Sequence, residues 1–597
     1  MKKIFIILVS MIMVVSCSDI LDKVPLDKIA DNAVWSDEAL TEAYLINLYA
    51  TMYVLKNECN TTGTNTNMAE SWFEIFCNWD ISDEGAVNWA ESGGSYKFGG
   101  LRIGGGLMEW WGYPQMREIH DFMAHLPETP LSSERKALRM AEARFLRAFN
   151  YFSMVKRYGG VPLITKAQSL DDPEDELYPA RNTEKEVYDF IISEMDDIIK
   201  DLNEPSATDA GRPSKSAAMA LKCRAALYAA SIAKFGKVEL NGVVGIPADQ
   251  ANGYYQKAYD AANQIINSKW HGLYDQDADK VANFKNIFLK EGNREVIFVR
   301  PFNDQNALAG GNGWCVDFMQ CPRPNGWSAG NSTAPYLEMA EEYEYTDGRP
   351  GKLDRAAIQQ GLWSMDELWG NKDPRFFATI WTCETPWKGG FVDKHSGLRL
   401  PDGSFQFSDS YGGVLAAGLN NGGTGFGVMK YLNEAHDNLA GSNSGWPTSW
   451  QDWVIFRYGE ILLNFAEAAF ELGKESEALN ALNQIRNRAG ITPLTSIDRA
   501  KIYHERKVEL AFEGHRYWDV RRWRTAVKEL NGYLSGVYYF LDYESYMKGE
   551  KKYRLIVIEQ FHGPTNPLIF RDYHYYLPIT LARTANNPKL VENPGYE

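Results

Sequence analysis

QDWVIFRYGEILLNFAEAAFELGKESEALNALNQIRNRAG (residues 451–490), followed shortly by ERKVELAFEGHRYWDVRRW (505–523), is the stretch that decides the fold. Apolar residues in its first half recur at helical spacing, and Gly473 ends this helix because glycine readily adopts the left-handed conformation. The apolar stripe consists of Phe456, Ile461, Leu462, Phe465, Ala466, Ala469 and Leu472. The small residues Ala466 and Ala478 stand where two antiparallel helices must approach closely. Their spacing is typical of a tetratricopeptide helix pair, whose full repeat is about 34 residues.

The same helical periodicity recurs elsewhere and alternates with Gly-, Asn- and aromatic-rich stretches. We predict helix pairs over about 36–55, 110–290 and 451–523, with loop-rich insertions over about 57–109 and 295–450. Short strands are predicted at Arg294–Arg300 and at residues 553–558. The expected fold class is therefore mainly α: a tetratricopeptide-like helix-pair scaffold with large insertions. No linker divides residues 36–597, so they are predicted to form a single domain.

Composition limits the classes of partner. The chain has 597 residues, of which 45% are hydrophobic, enough for a large core. Its formal net charge is −16, and this acidic field argues against nucleic acid as a partner, because nucleic-acid affinity depends on neutralising phosphates with cations.

The N-terminus carries an export signal. Two lysines precede the apolar run 4–15, which is too short to span a bilayer and ends at Ser16-Cys17. This pattern predicts a lipoprotein signal peptide over residues 1–16 and lipidation of Cys17, with 17–35 as an extended tether. An ordinary signal peptide with an incidental cysteine is the alternative. Several acyl chains on Cys17 would give the multiple anchors that stable membrane attachment needs.

The other six cysteines follow no metal-binding spacing. An exported protein can form disulfides, and Cys315 and Cys321 are close enough in sequence to be joined. Cys223 lies in a strongly helical stretch and is predicted to be a buried thiol.

Enzyme motifs are weak. GWSAG (326–330) matches the nucleophile elbow G-x-S-x-G, but that motif needs a strand before it and a helix after it, and prolines lie on both sides here. No zinc-protease motif is present, and the nine histidines are scattered. The sequence predicts neither an enzyme nor a bound cofactor or metal.

Several motifs, in order, resemble the SusD/RagB family of surface lipoproteins. They are AEARFLRAFNYFSMVKRYGGVPL (141–163), GRPSKSAAMALKCRAALYAA (211–230), KDPRF (372–376), the stretch quoted first, and YYLPITLARTANNPKLVENPGY (575–596), together with the acidic residues that follow Cys17. The resemblance covers nearly the whole chain. It implies four tetratricopeptide-like helix pairs and a lipid-anchored position at the cell outer membrane, facing the exterior.

The resemblance also implies a role. Such proteins capture a glycan, or in some members a peptide, and deliver it to a SusC-like TonB-dependent transporter without catalysis. A helical-repeat scaffold that binds a protein partner is the other open interpretation. A glycan binder should expose aromatic residues in the inserted loops, whereas a scaffold should expose an apolar patch on its helix pairs.

Candidate ligand contacts come from the regions that the resemblance favours, about 70–110 and 300–330. They are Asp83, Trp89, Trp314 and Trp327. The alternative for each tryptophan is packing in the core, and for Asp83 a turn or helix cap. The charged residues Arg516, Asp519, Arg521 and Arg522 are interpreted as ion pairs that fix the last helix, and Asp373 and Arg375 as a local turn network.

Overall fold

The computed structural model describes residues 31–52, 77–87, 97–100, 108–206, 209, 211–302, 314–322, 331–407, 423–437 and 448–596. The helices are α1 Asp31–Ser36, α2 Glu38–Thr51, α3 Cys77–Asp80, α4 Tyr113–His125, α5 Ser133–Tyr158, α6 Glu174–Leu177, α7 Glu184–Ile198, α8 Lys215–Phe235, α9 Ala251–Ser268, α10 Lys280–Leu289, α11 Val316–Gln320, α12 Leu337–Glu342, α13 Arg355–Ile358, α14 Met365–Trp369, α15 Pro374–Thr379, α16 Tyr458–Glu471, α17 Glu475–Ala489, α18 Arg499–Glu509, α19 Arg516–Arg522, α20 Ala526–Glu529, α21 Tyr543–Met547 and α22 Leu581–Asn586. Short 3-10 turns lie at Leu126–Glu128, Leu240–Gly242, Ala248–Gln250 and Asp572–Tyr575.

The strands are short. They are β1 Gly85–Val87, β2 Val296–Arg300, β3 Thr333–Pro335, β4 Ile380–Trp381, β5 Pro386–Trp387, β6 Gly390–Phe391, β7 Gly397–Arg399, β8 Phe405–Phe407, β9 Gly427–Val428, β10 Trp453–Arg457, β11 Gly536–Asp542 and β12 Tyr553–Ile558. The mainly α fold class is confirmed, and so are the strands predicted near 294–300 and at 553–558.

The long helices form one continuous row. In chain order, α2 packs on α4, α4 on α5, α5 on α7, α7 on α8, α8 on α9, α9 on α16 and α16 on α17. Each helix buries its apolar stripe against the next, as in solenoids built from helix pairs. The row is interrupted in sequence between Ser268 and Tyr458. The insertion predicted over about 295–450, which we call the middle insertion, falls within this interruption.

Local signals explain the helix ends. Ser214 accepts a hydrogen bond from the Ala217 amide and so caps α8, whose alanines allow close packing against α9. Gly490, with φ of 79°, ends α17 in the left-handed conformation that glycine adopts without steric penalty. Within the described ranges, no helix combines the length and the apolar character needed to cross a bilayer.

Three predicted boundaries are wrong. Residues 31–36 form α1 rather than an extended tether. Phe456 belongs to strand β10 and not to the helix that follows, because the buried run Trp453–Arg457 pairs with β2 and tertiary pairing overrides its helical spacing. The first helix ends at Thr51 rather than near Leu55.

A four-stranded sheet, in the order β12-β11-β7-β8, joins the middle insertion to the C-terminal region. Strands β11 and β12 are antiparallel, β11 and β7 are parallel, and β7 and β8 are antiparallel. In β12 the side chains of Tyr553, Leu555 and Val557 are buried and alternate with partly exposed ones. The sheet therefore turns one face to the core and one outward.

Buried ion pairs fix the last helices to the scaffold, as predicted for Arg516, Asp519 and Arg522. The prediction for Arg521 is wrong, because it donates to the Tyr575 carbonyl and forms no ion pair among the described residues. Arg522 of α19 bonds Glu467 of α16, and Asp519 accepts from Arg506 at 2.7 Å. The KDPRF motif is more than a local turn. Arg375 bonds Asp373 beside it and also reaches Glu505 and Glu509 of α18 at 2.7 and 2.8 Å.

Candidate functional site

The site is built on a β-hairpin, GLRLPDGSFQF (397–407), inside the middle insertion. Its turn is fixed by Gly403, with φ of 84°, and by the Asp402 carboxylate, which accepts from the Ser404 amide at 2.9 Å. The register aligns Phe407 with Gly397 and Phe405 with Arg399. Since residues two apart on a strand share a face, both phenylalanines lie on the same side of the sheet.

These side chains lie on the outward face. In the register, Phe540 is aligned with Gly397 on one side and with Arg554 on the other. Arg554 alternates with the core-facing residues of β12, so it and Phe540 belong to the outward face. Ring centroids of Phe405 and Phe407 lie 4.7 and 4.8 Å from that of Phe540, and Tyr538 lies 6.0 Å from Phe407. We call these four residues, Phe405, Phe407, Tyr538 and Phe540, the aromatic face.

The aromatic face is open to solvent. Phe407 is 61% exposed and Phe405 is 39% exposed, while Phe540 beneath them is buried. Antiparallel sheets that face water on one side are usually polar there. A contiguous apolar patch on such a face indicates a binding surface, whereas single exposed apolar residues are ordinary.

Gly397 makes the arrangement possible. It lies between Phe407 and Phe540 in the register, so the absence of a side chain lets the two rings meet across it. Its φ is 145°, and a Cβ atom there would lie 2.0 Å from the Gln406 carbonyl oxygen. Only glycine fits this position without displacing β8.

Polar groups border the rings. Arg399 donates to Asp542 at 2.7 Å, and Asp542 also accepts from the Ser545 hydroxyl at 2.7 Å. Burial works to raise the pKa of Asp542, but the hydrogen bonds from Ser545 and Arg399 lower it overall, so the group is ionised at neutral pH. Arg554 donates to the Gln359 carbonyl at 2.6 Å, and burial lowers its pKa.

Asp83 lies elsewhere, in a buried ion pair. Its carboxylate accepts from Arg516 at 2.7 and 2.8 Å and from Lys507 at 2.8 Å. Although burial alone would raise the pKa of Asp83, Arg516 and Lys507 hold it well below the usual range. This position favours a structural role. A ligand contact by Asp83 stays a prediction.

Trp314 is also buried, with an exposed fraction of 0%. Its ring packs against Trp453 and Tyr431 at 5.6 and 5.3 Å between centroids, and its indole N–H donates to the Gln451 carbonyl at 2.9 Å. A ring covered on its faces offers no stacking surface in this conformation, so the packing alternative is favoured. Trp89 and Trp327 lie outside the described residues.

The disulfide considered possible between Cys315 and Cys321 is not formed. Cys223, Cys315, Cys321 and Cys383 are all buried. Helix α11 separates these two residues, and the Cys321 thiol donates to the Phe318 carbonyl instead. Burial raises the pKa of the Cys223, Cys315 and Cys383 thiols to about 12. Across the described segments, no three His, Cys, Asp or Glu side chains are grouped so that they could hold a metal ion.

The sequence contained a signal for the aromatic face that our prediction did not use. Pro401-Asp402-Gly403 between the short runs GLRL and SFQF is a hairpin signal, and the alternation of Phe405 and Phe407 places both rings on one face. Which face turns outward depends on β11 and β12, more than 130 positions later in the chain.

The fold and the helix-pair row define a mainly α scaffold that carries a loop-rich insertion. The SusD family model matches residues 294–596, and a second model, described as starch-binding and associating with outer membrane, matches 112–227. The chain belongs to the SusD family.

Relatives and a solved structure agree with this assignment. The starch-binding protein SusD of Bacteroides thetaiotaomicron is 23% identical over 548 residues, which are 87% of this chain and 82% of that protein. SusD-like protein P2 of Formosa agariphila is 26% identical over 398 residues, 64% of each chain, so that match spans less than two thirds of the relative. A SusD-like crystal structure from Bacteroides fragilis superposes with a TM-score of 0.70 at 24% identity, covering 96% of this chain and 100% of the other.

Proposed function

We propose that this protein is a surface lipoprotein that binds a glycan without catalysis, at the aromatic face. The observation that carries the proposal is the pair Phe405 and Phe407, exposed side by side on the outward face of the sheet. Sugar rings present apolar C–H surfaces that pack on aromatic rings, and their hydroxyls bond to polar groups at the rim. Here Arg399, which the register aligns with Phe405, and its partner Asp542 are polar side chains that border the rings.

The geometry suits a polymer better than a small molecule. Among the described strands, β8 lies at the edge of the sheet, and its exposed rings are not enclosed in a pocket, so successive sugar units could pass across them. The starch-binding name of one relative supports a polysaccharide as the ligand class. Asp83, Trp89, Trp314 and Trp327 stay predictions from the sequence and do not belong to the aromatic face.

Anchoring and delivery complete the proposal. Cys17 would carry the lipid that holds the protein at the outer membrane with the body facing the exterior. A SusC-like TonB-dependent transporter would receive the glycan, and the continuous row of helices from α2 to α17 offers a long surface for that contact. Co-purification of a TonB-dependent transporter with the protein tests the contact. Loss of glycan uptake in a strain that lacks the protein's gene tests delivery.

Affinity electrophoresis tests the binding. The chain from residue 18 onward is run through native gels that contain starch, laminarin, xylan, mannan or pectin, with a plain gel as reference. Retardation in one class of gel supports the proposal, and unchanged polymer length after incubation supports the absence of catalysis. If no glycan retards the protein and peptides bind instead, the peptide-binding alternative replaces it. A polymer that shortens would identify an enzyme.

A further inference from the structure

A concave surface lies away from the sheet, between the end of α8, the end of α19 and the C-terminal segment. It is a cleft of about 480 Å³ that we call the tyrosine cleft. Its main lining side chains are Lys237, Glu239, Arg524, Asp572, Tyr573 and Tyr575. Small-molecule sites commonly have volumes of about 300–1,000 Å³, and this cleft falls within that range.

Arg524 organises the cleft. It follows α19 with φ of 58°, in a left-handed position where helices usually end in glycine. Its guanidinium lies 4.6 Å from the ring centroid of Tyr575 and 5.0 Å from that of Tyr576. It also donates to the Tyr576 hydroxyl at 2.7 Å. The chain thus keeps a large side chain at a backbone position that disfavours one, and strain of this kind clusters at functional sites.

The walls are held in place before any ligand binds. The Tyr576 hydroxyl donates to Glu184 at 2.7 Å, and the Tyr575 hydroxyl accepts from the Val527 amide at 3.3 Å. On the opposite side, Gly595 approaches Tyr573 so closely that a Cβ atom would lie 2.5 Å from the tyrosine Cβ. A preformed site loses less conformational entropy on binding than a flexible one.

The charges of the cleft are balanced, and most of them are carried by exposed side chains. Lys237 and Arg524 are cationic, Glu239 and Asp572 are anionic, and within the described part of the chain none of the four forms an ion pair. Arg524 donates to the Tyr576 hydroxyl and the Arg521 carbonyl rather than to a carboxylate, whereas Arg522 is paired with Glu467. Two donors and two acceptors beside aromatic rings match vicinal hydroxyls, which both donate and accept. An anionic ligand would meet two carboxylates as well as two cations, so the net charge of the cleft gives it no attraction.

We propose that the tyrosine cleft is a second carbohydrate site, which holds two or three rings of a neutral oligosaccharide. The tyrosine rings pack on the C–H surfaces of the sugar, and the four charged side chains bond to its hydroxyls. This inference rests on the proposed capture of glycans and adds a site for short chains or chain ends. The aromatic face then binds internal sugar units of a long polymer.

Calorimetric titration tests the cleft. The full-length chain in mild detergent is titrated with maltotriose, cellotriose, laminaritriose and mannotriose. We expect one of these trisaccharides to bind. Arg524→Gly should weaken its binding by about tenfold or more, equivalent to ~1.4 kcal/mol. Glycine suits the left-handed backbone at this position, so the variant should still fold. Tyr573→Ala should weaken binding similarly, and Tyr178→Ala, at an exposed tyrosine that lines neither site, is the matched control.

The outcomes separate the two proposals. Trisaccharide binding that is lost in Arg524→Gly, while polysaccharide gels still retard the variant, supports the cleft as a separate site. Failure of all four trisaccharides to bind, or binding that survives both cleft variants, overturns the cleft proposal and leaves retardation at the aromatic face as an independent result. Trisaccharide binding without retardation by any polymer supports the cleft and contradicts the aromatic face. Preference for a uronic-acid trisaccharide over the neutral ones would also overturn the inference.

Discussion

The Arg516 guanidinium donates two hydrogen bonds to the Asp83 carboxylate, at 2.7 and 2.8 Å, across 433 positions of sequence. This ion pair connects the insertion predicted over about 57–109 to α19. Lys507 of α18 also donates to the Asp83 carboxylate, at 2.8 Å. A charged pair buried in this way holds two distant parts of the chain in one arrangement. Removing Asp83 leaves Arg516 with Glu529 and Lys507 with Glu342, so that their buried charges are only partly compensated.

Asp83→Asn should therefore lower the free energy of unfolding by about 3–5 kcal/mol, the usual effect of breaking a buried ion pair. Urea denaturation measures the change, and Asp201→Asn, at an exposed aspartate in a turn, is the control. The same variant decides between the two roles of Asp83. If stability is unchanged and polysaccharide retardation is lost, Asp83 is a ligand contact rather than a structural residue.

Glu509 supports a larger buried cluster. It accepts from Arg375 and Arg457 at 2.8 Å each and from Arg488. Burial works to raise the pKa of Glu509, but Arg488, Arg457 and Arg375 hold it well below the ordinary value. In the unfolded chain this pKa is about 4.3, so the contribution to stability is present above that pH and is lost as pH falls through the lower folded value.

We expect Glu509→Gln to reduce the free energy of unfolding at pH 7 by about 3–5 kcal/mol and to make acid unfolding less steep below about pH 4. Denaturant titrations between pH 3 and pH 7 measure both effects. Glu544→Gln, at an exposed glutamate in α21, should change neither. Equal acid sensitivity in Glu509→Gln and the wild type would show that the cluster does not control acid stability.

Glu84 behaves in the opposite way. Burial raises its pKa to about 7, even though Glu84 accepts from the Phe512 amide at 2.9 Å. Between about pH 4.3 and pH 7 the unfolded chain has lost this proton while the folded chain keeps it, so stability falls as pH rises through that window. Glu84→Gln keeps the acceptor and cannot ionise.

The free energy of unfolding of Glu84→Gln, relative to that of the wild type, should therefore increase as pH rises from about 4.3 to about 7. Above about pH 7 the difference should stay constant. Thermal or urea unfolding at four or five pH values gives the curve. A constant difference across the range would mean that Glu84 is ionised in the folded protein.

The buried thiols give a chemical prediction. Cys223, Cys315, Cys321 and Cys383 should resist a thiol reagent in the native protein and react in denaturant, because only the thiolate is nucleophilic and each group is buried. Mass mapping of labelled peptides identifies each site, and no reductant should be needed. A disulfide-linked peptide that contains Cys315 and Cys321 would contradict the structure.

The helical scaffold could be predicted because periodicity and end signals act locally. Lys215–Phe235 and the ends at Gly473 and Gly490 follow from residues within a few positions. The binding surface could not be predicted in the same way. Trp314 and Phe407 both lie in the aromatic-rich insertion, yet packing against Trp453 buries the first and a position on the edge strand exposes the second. Composition does not separate these two cases, because burial depends on contacts made by residues far away in sequence.

The central claim is that the aromatic face binds a glycan. Phe405→Ala combined with Phe407→Ala removes both exposed rings, and affinity electrophoresis in the polysaccharide gel that retards the wild type measures the consequence most directly. A packed contact with an aromatic ring contributes on the order of 1 kcal/mol. With both rings removed, retardation should disappear in the double variant and persist in Tyr178→Ala. Full retardation of a double variant that unfolds at the wild-type temperature would place the glycan site elsewhere on the molecule.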